Sequence, residues 1–340
     1  MTEDEEELTY ADAGVDIEAS EAATAALVGA VGDIDESEYA GLLDIGDRYL
    51  ALATDGVGTK LLVAEALGDY STVGIDCIAM NVNDLLASGV EPVAFVDYLA
   101  VDEPSEEFSK QVGDGLAAGA DEAGIALVGG ETAVMPEVIK GLDLAGACVG
   151  LAPKDAVFPG EAEVGDALVG FSSSGIHSNG LTLAREAATR NHEYGDPFPL
   201  DASGAASDEE DGDGNETEPR SVGEVLLEPT RIYTYLLDHL RGREVHAAAH
   251  VTGGGWTNLS RMGEFRYEIA DPFDAQPVFE FVQQEGNVGD EEMHRTFNMG
   301  TGFVVALPED DAESLADETD GRIIGEVREG DCVAIRDLEL

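Results

Sequence analysis

Hydrophobic positions in this chain follow two periods. Over residues 74–88, Ile75, Ile78, Ala79, Val82, Leu85 and Leu86 recur at helical spacing, while Asp76, Asn83 and Asp84 gather on a different side. This predicts a helix that buries one face and offers carboxylates on another, with Gly89 placed as its C-terminal cap. Residues 18–31, 181–189 and 229–240 are predicted as further helices. Short apolar runs at 49–54, 93–101, 125–128, 166–171 and 302–307 are predicted strands. Strands and helices alternate through both halves, which gives the α/β (α+β) class. A division is expected near residues 153–165, into domains 1–160 and 161–340. No short-period repeat is visible.

Composition adds the surroundings. The 340 residues carry 72 acids and 17 bases, a net charge of −55, and only four of the bases are lysines, Lys60, Lys110, Lys140 and Lys154. Such a surface repels nucleic acid and anionic membranes. The acids are spread along the chain, and their mutual repulsion is tolerable where the screening length shrinks to ~3 Å at 1 M salt, so a halophilic cytoplasm is expected. No apolar run approaches the ~18 residues of a membrane span, and the acidic start lacks the basic region of a signal peptide. Cys77, Cys148 and Cys332 are far apart in apolar surroundings and are expected to be buried thiols. The stretch 201–219 alternates acids with glycines but lacks the spacing of a calcium loop, and is read as a flexible, solvated insertion.

Several segments carry candidate chemistry. Asp55-Gly56-Val57-Gly58-Thr59-Lys60 follows a predicted strand and supplies a carboxylate, two glycines and a cation; Asn83-Asp84 adds a second acid. Backbone N–H groups at such glycines can approach phosphate oxygens, and the carboxylates would be repelled by them unless Mg²⁺ lay between. An ordinary Asp-Gly turn fits the first segment as well, and its spacing is not that of a Walker A loop. Ser172-Ser173-Ser174-Gly175-Ile176-His177-Ser178-Asn179-Gly180 leaves a strand and opens a helix, as an anion-binding loop or as a capped helix start with a structural histidine. His250-Val251-Thr252-Gly253-Gly254-Gly255-Trp256 permits close approach of a ligand or of neighbouring backbone. Gly129-Gly130-Glu131 ends a strand with a further carboxylate, a candidate to complete a metal site.

In this order the segments resemble the phosphoribosylformylglycinamidine cyclo-ligase family, also called aminoimidazole ribonucleotide synthetase, almost end to end. The likeness takes in residues 12–16, 54–60, 83–92, 129–136, 173–180, 227–230, 250–255 and 295–300. It implies a two-domain fold whose N-terminal mixed sheet forms a barrel with that of a second copy in a homodimer, beside a C-terminal α/β domain. It implies ATP-dependent closure of formylglycinamidine ribonucleotide to aminoimidazole ribonucleotide, with ADP and phosphate released, by way of a phosphorylated formamide oxygen. Mg²⁺ is implied on Asp55, Asp84 and Glu131, with K⁺ a further candidate ion. ATP would meet Gly56, Gly58, Thr59, Lys60, Asn83, Asp84, Gly129 and Gly130, with Lys60 neutralising phosphate. Substrate would meet Ser173, Ser174, Gly175, His177, Ser178, Asn179, Thr252, Gly253, Gly254, Thr296 and Asn298, with His177 the candidate for proton transfer.

The chain departs from the family at Tyr10-Ala11-Asp12, which lacks the cation often found after the tyrosine, at Gly41, where a glycine-rich stretch is reduced to one residue, and at Val90 in place of alanine. Thiamine-monophosphate kinase is the runner-up within the superfamily, although its first nucleotide loop usually carries more aspartates. A silent nucleotide-binding subunit is the alternative from another class. Retention of Asp55, Asp84, Glu131 and Lys60 speaks against it.

Overall fold

The structure is a computed structural model and describes residues 7–15, 17–31, 39–200 and 219–340. Residues 1–6, Asp16, 32–38 and positions 201–218 of the predicted insertion lie outside the described residues. In chain order the first elements are α1 (Ile17–Val31), β1 (Gly41–Asp44), β2 (Arg48–Gly56), α2 (Lys60–Leu67), α3 (Val73–Ala87), β3 (Glu91–Val101), α4 (Glu106–Ala123), β4 (Ala126–Val134) and β5 (Leu142–Pro153). There follow β6 (Ala167–Ser172), α5 (Leu181–Thr189), α6 (Val222–Leu226), α7 (Leu236–Leu240), β7 (Ala247–His250), a 3₁₀ helix (Gly255–Met262) and β8 (Arg266–Ile269). The chain closes with α8 (Pro277–Gly286), α9 (Asp290–Thr296), β9 (Thr301–Leu307), α10 (Glu309–Glu318), β10 (Arg322–Arg328), β11 (Cys332–Ile335) and β12 (Leu338–Glu339).

Two mixed sheets organise these elements. The first has the order β1-β2-β5-β3-β4, antiparallel except for the parallel pair β3 and β4. The second has the order β12-β11-β8-β10-β6-β9-β7, antiparallel except for β8 and β11. In β9, every residue is buried because alternate side chains enter different cores: Phe303, Val305 and Leu307 pack with α7 and α10, whereas Val304 and Ala306 pack with the 3₁₀ helix. Such two-sided burial requires the unbroken apolar run seen in the sequence. A third core joins the first sheet to helices of the second half, since Ala53, Phe95 and Cys148 pack in one cluster with Leu183, Ala187, Phe279 and Val282 of α5 and α8.

Helix α3 is the axis of the site. It packs over β2, β3 and β5 and against α4, and it also reaches β7 of the second sheet. At its end Gly89 takes φ +74°, the Gly89 N–H bonds Leu86 O, and the Val90 N–H returns to Leu85 O. Only glycine adopts that φ without a Cβ penalty, so the expected cap is present.

The structure corrects three expectations. Asp76 and Asn83 do not belong to a side of α3 that offers its groups outward: both are fully buried, and their side chains hold the backbone of residues 230–233. For the same reason the helix predicted at 229–240 shrinks to Leu236–Leu240. The Thr230 N–H donates to Asp76, the Tyr233 N–H donates to Asn83 Oδ1, and Asn83 Nδ2 donates to Arg231 O, so this stretch satisfies its polar backbone on α3 instead of on itself. Cys77 and Cys148 are buried, with burial pushing the Cys148 thiol up to about 12 and the Cys77 thiol further up. Cys332 is only half-buried and lies 3.0 Å from Arg266 Nη1.

Even if every base paired with one acid, 55 of the 72 carboxylates would remain unpaired, since 72 − 17 = 55. Screening is therefore expected to raise the melting temperature by on the order of 10 °C between 0.2 M and 2 M KCl. A melting temperature that is flat over that range would contradict this reading of the surface.

Candidate active site

Asp55 sits at the end of β2, and the register places it opposite Gly146 of β5, which in turn faces Asp97 of β3. Residues directly opposite across strands share a face, so Asp55 and Asp97 look out of the same side of the sheet, under α3. Gly146 is required here, because a Cβ would lie 1.9 Å from the ring of Phe95. Gly130 of β4 is next in the row, and a Cβ there would meet Asp97 Oδ1 at 2.2 Å. Burial, reinforced by the charge of Asp84, pushes the Asp55 carboxyl up to about 6, and burial raises Asp97 as well.

From α3, Asp84 reaches toward the second domain, where His250 Nδ1 lies 2.9 Å from its Oδ1. The imidazole is fully buried at the end of β7, with Asn83 Nδ2 3.4 Å from Nε2. The Tyr39 hydroxyl donates to His250 O at 3.2 Å, and the Arg261 guanidinium lies over the Tyr39 ring at 4.8 Å. One carboxylate from the first domain is thus held by a histidine of the second.

The loop after β6 is tied from several sides. The Ser173 N–H donates to Gly300 O, Gln276 Nε2 donates to Ser173 O at 2.6 Å, and Asn298 Nδ2 donates to Gly175 O at 2.8 Å. Arg231 Nη1 and the Tyr233 hydroxyl both donate to Ser172 O. Asn179 places Nδ2 3.7 Å from Met80 Sδ of α3, and a Cβ on Gly253 would come within 2.8 Å of Asn179 Oδ1. The glycine loop therefore packs directly on the serine loop. Thr252 is fixed by its N–H to Asn258 Oδ1 at 2.7 Å, and Thr296 is buried with its hydroxyl unpartnered.

His177, the candidate for proton transfer that the resemblance implied, is a buried ring. It is 2% exposed, takes φ +65°, and accepts the Ser174 N–H on Nε2 at 3.2 Å. The proton of the neutral ring is then on Nδ1, which has no partner. Burial, reinforced by His250, Lys60 and Arg231, holds its pKa well below the ordinary 6.5. The folded state excludes the proton that the unfolded chain accepts, so this contribution to stability is intact above about pH 6.5 and is lost as pH falls below it. His177→Asn keeps a residue that tolerates positive φ and is expected to reduce the loss of unfolding free energy between pH 7 and pH 5 by on the order of 1 kcal/mol. Parallel denaturant curves for both proteins at the two pH values would refute a buried neutral ring.

Lys60 is also corrected. Its ammonium is fully buried, 2.9 Å and 2.8 Å from the two Asp76 oxygens and 2.5 Å from Glu228 O, so its donors point into the protein and not at a phosphate. The carboxylate trio of Asp55, Asp84 and Glu131 is not assembled. Glu131 is in register with Tyr98, so strand alternation turns it to the face opposite Asp55, and among the described residues no group of three or more His, Cys, Asp or Glu side chains is placed to hold a metal. Gly56, Gly58 and Thr59 do lie at the turn into α2, and Thr59 Oγ1 meets Thr182 Oγ1 of α5 at 3.0 Å, while Gly129 and Gly130 line the β4 edge beside Asp97. Gly254 accepts a bond from the Thr257 hydroxyl and starts the 3₁₀ helix. Sequence reasoning missed Asp97 and Gln276. The two-residue alternation from Phe95 to Asp97 could have placed the first.

A cavity of about 780 Å³ opens elsewhere, at the other end of β2 and β3. Its arginines are already engaged, Arg48 with Asp47, Arg241 with Glu91 and Asp238, and Arg243 with Glu318, and none of the candidate site residues lines it.

Residues 37–152 match the family described as AIR synthase related protein, N-terminal domain, and residues 163–337 match AIR synthase related protein, C-terminal domain. The phosphoribosylformylglycinamidine cyclo-ligase of Methanosarcina acetivorans is 46% identical over 345 residues, 98% of each chain. That of Pyrococcus furiosus is 47% identical over 322 residues, 90% of each chain. A solved structure described as AaThiL complexed with AMPPCP and TMP superposes with a TM-score of 0.67 at 14% identity, over 96% of each chain, which shows a shared fold.

Proposed function

The chain belongs to the AIR synthase related protein family, and on that premise we propose that it catalyses the ATP-dependent closure of formylglycinamidine ribonucleotide to aminoimidazole ribonucleotide. The observation that carries the reading is the joining of Asp84 to His250 beside Asp55, with the serine and glycine loops packed on the same helix. The γ-phosphoryl group of ATP passes to the formamide oxygen and ADP leaves. An amidine-side nitrogen then attacks the formyl carbon, a proton is lost, and phosphate departs with the oxygen. Phosphorylation turns a poor leaving group into a good one.

Asp55 and Asp84 are the residues assigned to Mg²⁺, with Asp97 beside them. The fit is chemical: Mg²⁺ takes oxygen ligands, commonly one or two carboxylates with the remainder from phosphates and water, and Asp84 stands close enough to Asp55 for its charge to add to burial in raising the Asp55 carboxyl. When bound, the ion shields the triphosphate and draws charge from the transferring group. The backbone N–H of Gly58 is assigned to phosphate oxygens, since that of Gly56 donates to Asp55 Oδ1 at 2.7 Å. His250 holds Asp84 in one orientation through Nδ1, and His177 shapes the serine loop through the Ser174 N–H. The buried Asn298 and the half-buried Gln276 brace that loop from behind.

The first sheet leaves an apolar face uncovered. Leu43, Leu52, Val96 and Tyr98 lie on it at 58%, 52%, 41% and 44% exposure. A contiguous patch of this kind marks an interaction surface, and together with the family resemblance it supports a homodimer built on this face. Val96→Asp is expected to convert a dimer into a monomer in light scattering at 2 M KCl. A monomeric wild-type protein would contradict the assignment. Among the described residues no helix is long and apolar enough to cross a membrane, and a cytoplasmic site of action is part of the proposal.

The substrate is tested by offering formylglycinamidine ribonucleotide and thiamine monophosphate separately with ATP and Mg²⁺. ADP release with the first alone is expected. Release with thiamine monophosphate would favour the kinase, and ATP binding without release from either would favour a silent subunit.

A further inference from the structure

We propose that Lys60, Asp76 and Thr230 form a buried pin that positions the substrate-side serine loop against α3, the helix that carries Asp84. The proposal rests on the cyclo-ligase reading for the ligand of that loop and on geometry for the rest. Lys60 and Asp76 are both fully buried, one at the start of α2 and the other in the first turn of α3. Besides the ammonium, Asp76 Oδ1 accepts the Thr230 N–H at 2.7 Å and the Thr230 hydroxyl at 2.6 Å. One carboxylate therefore binds two helices of the first domain to an irregular segment of the second.

The hydroxyl bookkeeping carries this order onward. A threonine hydroxyl has one hydrogen, and that of Thr230 goes to Asp76, so in its 3.1 Å contact with Ser178 Oγ it accepts and Ser178 donates. Ser174 Oγ likewise gives its hydrogen to Pro229 O at 2.6 Å. Both serines are half-buried, and both are left with lone pairs only. They are set to accept from N–H or O–H groups of the ribonucleotide, while its phosphate must find the backbone N–H groups of the loop. A buried ion pair adds little stability over apolar residues of the same size; what this one provides is direction, since the ammonium, the Thr230 N–H and the Thr230 hydroxyl all converge on one carboxylate.

Thr230→Val removes the hydroxyl and keeps the shape, and Thr230→Ser restores it. With both variants folded at the wild-type melting temperature to within a few degrees, Thr230→Val is expected to raise KM for formylglycinamidine ribonucleotide about tenfold, the loss of one to two hydrogen bonds, with KM for ATP changed less than about twofold. Thr230→Ser is expected to return the ribonucleotide KM to within about threefold of wild type. Amide hydrogen exchange over residues 172–180 is expected to quicken in Thr230→Val, with 49–56 and 301–307 unchanged. An unchanged ribonucleotide KM, or equal rises for both substrates, overturns the positioning role. If the wild-type protein does not turn over the ribonucleotide, the functional reading fails by itself, and unchanged exchange over 172–180 in Thr230→Val then overturns the pin.

Discussion

Asp55→Asn is expected to lower kcat by about 10³-fold or more, a loss of roughly 4 kcal/mol of transition-state stabilisation, while the melting temperature of the free protein stays level or rises. The two effects have one cause. Burial and the Asp84 charge raise the Asp55 carboxyl to about 6, so ionised Asp55 is a cost to the free fold at neutral pH. In the sign of linkage, a carboxyl whose folded pKa is raised favours the fold at low pH and loses that contribution as pH climbs from about 4 through 6. Asparagine removes the repulsion and with it the charge assigned to the metal. Steady-state kinetics and a thermal melt of the same preparation check both halves. Activity within tenfold of wild type would remove Asp55 from the site, and a collapse of the melting temperature would make it structural.

Lys60→Met is expected to destabilise the protein by about 3–5 kcal/mol in denaturant unfolding, because it leaves the Asp76 charge buried without its counterion. The double variant Lys60→Met with Asp76→Asn is expected to regain much of that loss, since neither charge then remains, although the carboxamide keeps an acceptor for Thr230. This pair of variants separates the two readings of Lys60. A lysine that touched phosphate would weaken ATP binding with little change in the unfolding midpoint, and that outcome would restore the assignment that the geometry removes.

The parts of the fold that were legible in the sequence are those in which period and burial agree. Residues 181–189 carry a helical apolar face packed on α8, and they fold as predicted. The run at 302–307 is a strand buried on both sides, and only its start moved, by one residue. Residues 229–240 failed because helical periodicity cannot reveal that Asp76 and Asn83, about 150 positions away in the chain, satisfy the local backbone. The same contacts take Asp76 and Asn83 off the side of α3 that was read as offering carboxylates. Lys60 was misread for a related reason: a scarce lysine after a glycine turn looks like a phosphate ligand until its partner is known. Glu131 was misplaced by one residue of strand alternation, which put Gly130 on the Asp55 face and turned the carboxylate away. His250 stood in a segment chosen for its glycines, and only the fold brings it to Asp84.

The central claim is ring closure through a phosphorylated formamide oxygen, and its most direct test is the fate of that oxygen. Formylglycinamidine ribonucleotide labelled with ¹⁸O in the formyl group is incubated with the protein, ATP and Mg²⁺ in ~2 M KCl, where the acidic surface is screened, and phosphate and aminoimidazole product are analysed together. The account predicts one ¹⁸O in the released phosphate for each aminoimidazole formed. Unlabelled phosphate, or ATP consumption without the aminoimidazole, would contradict it.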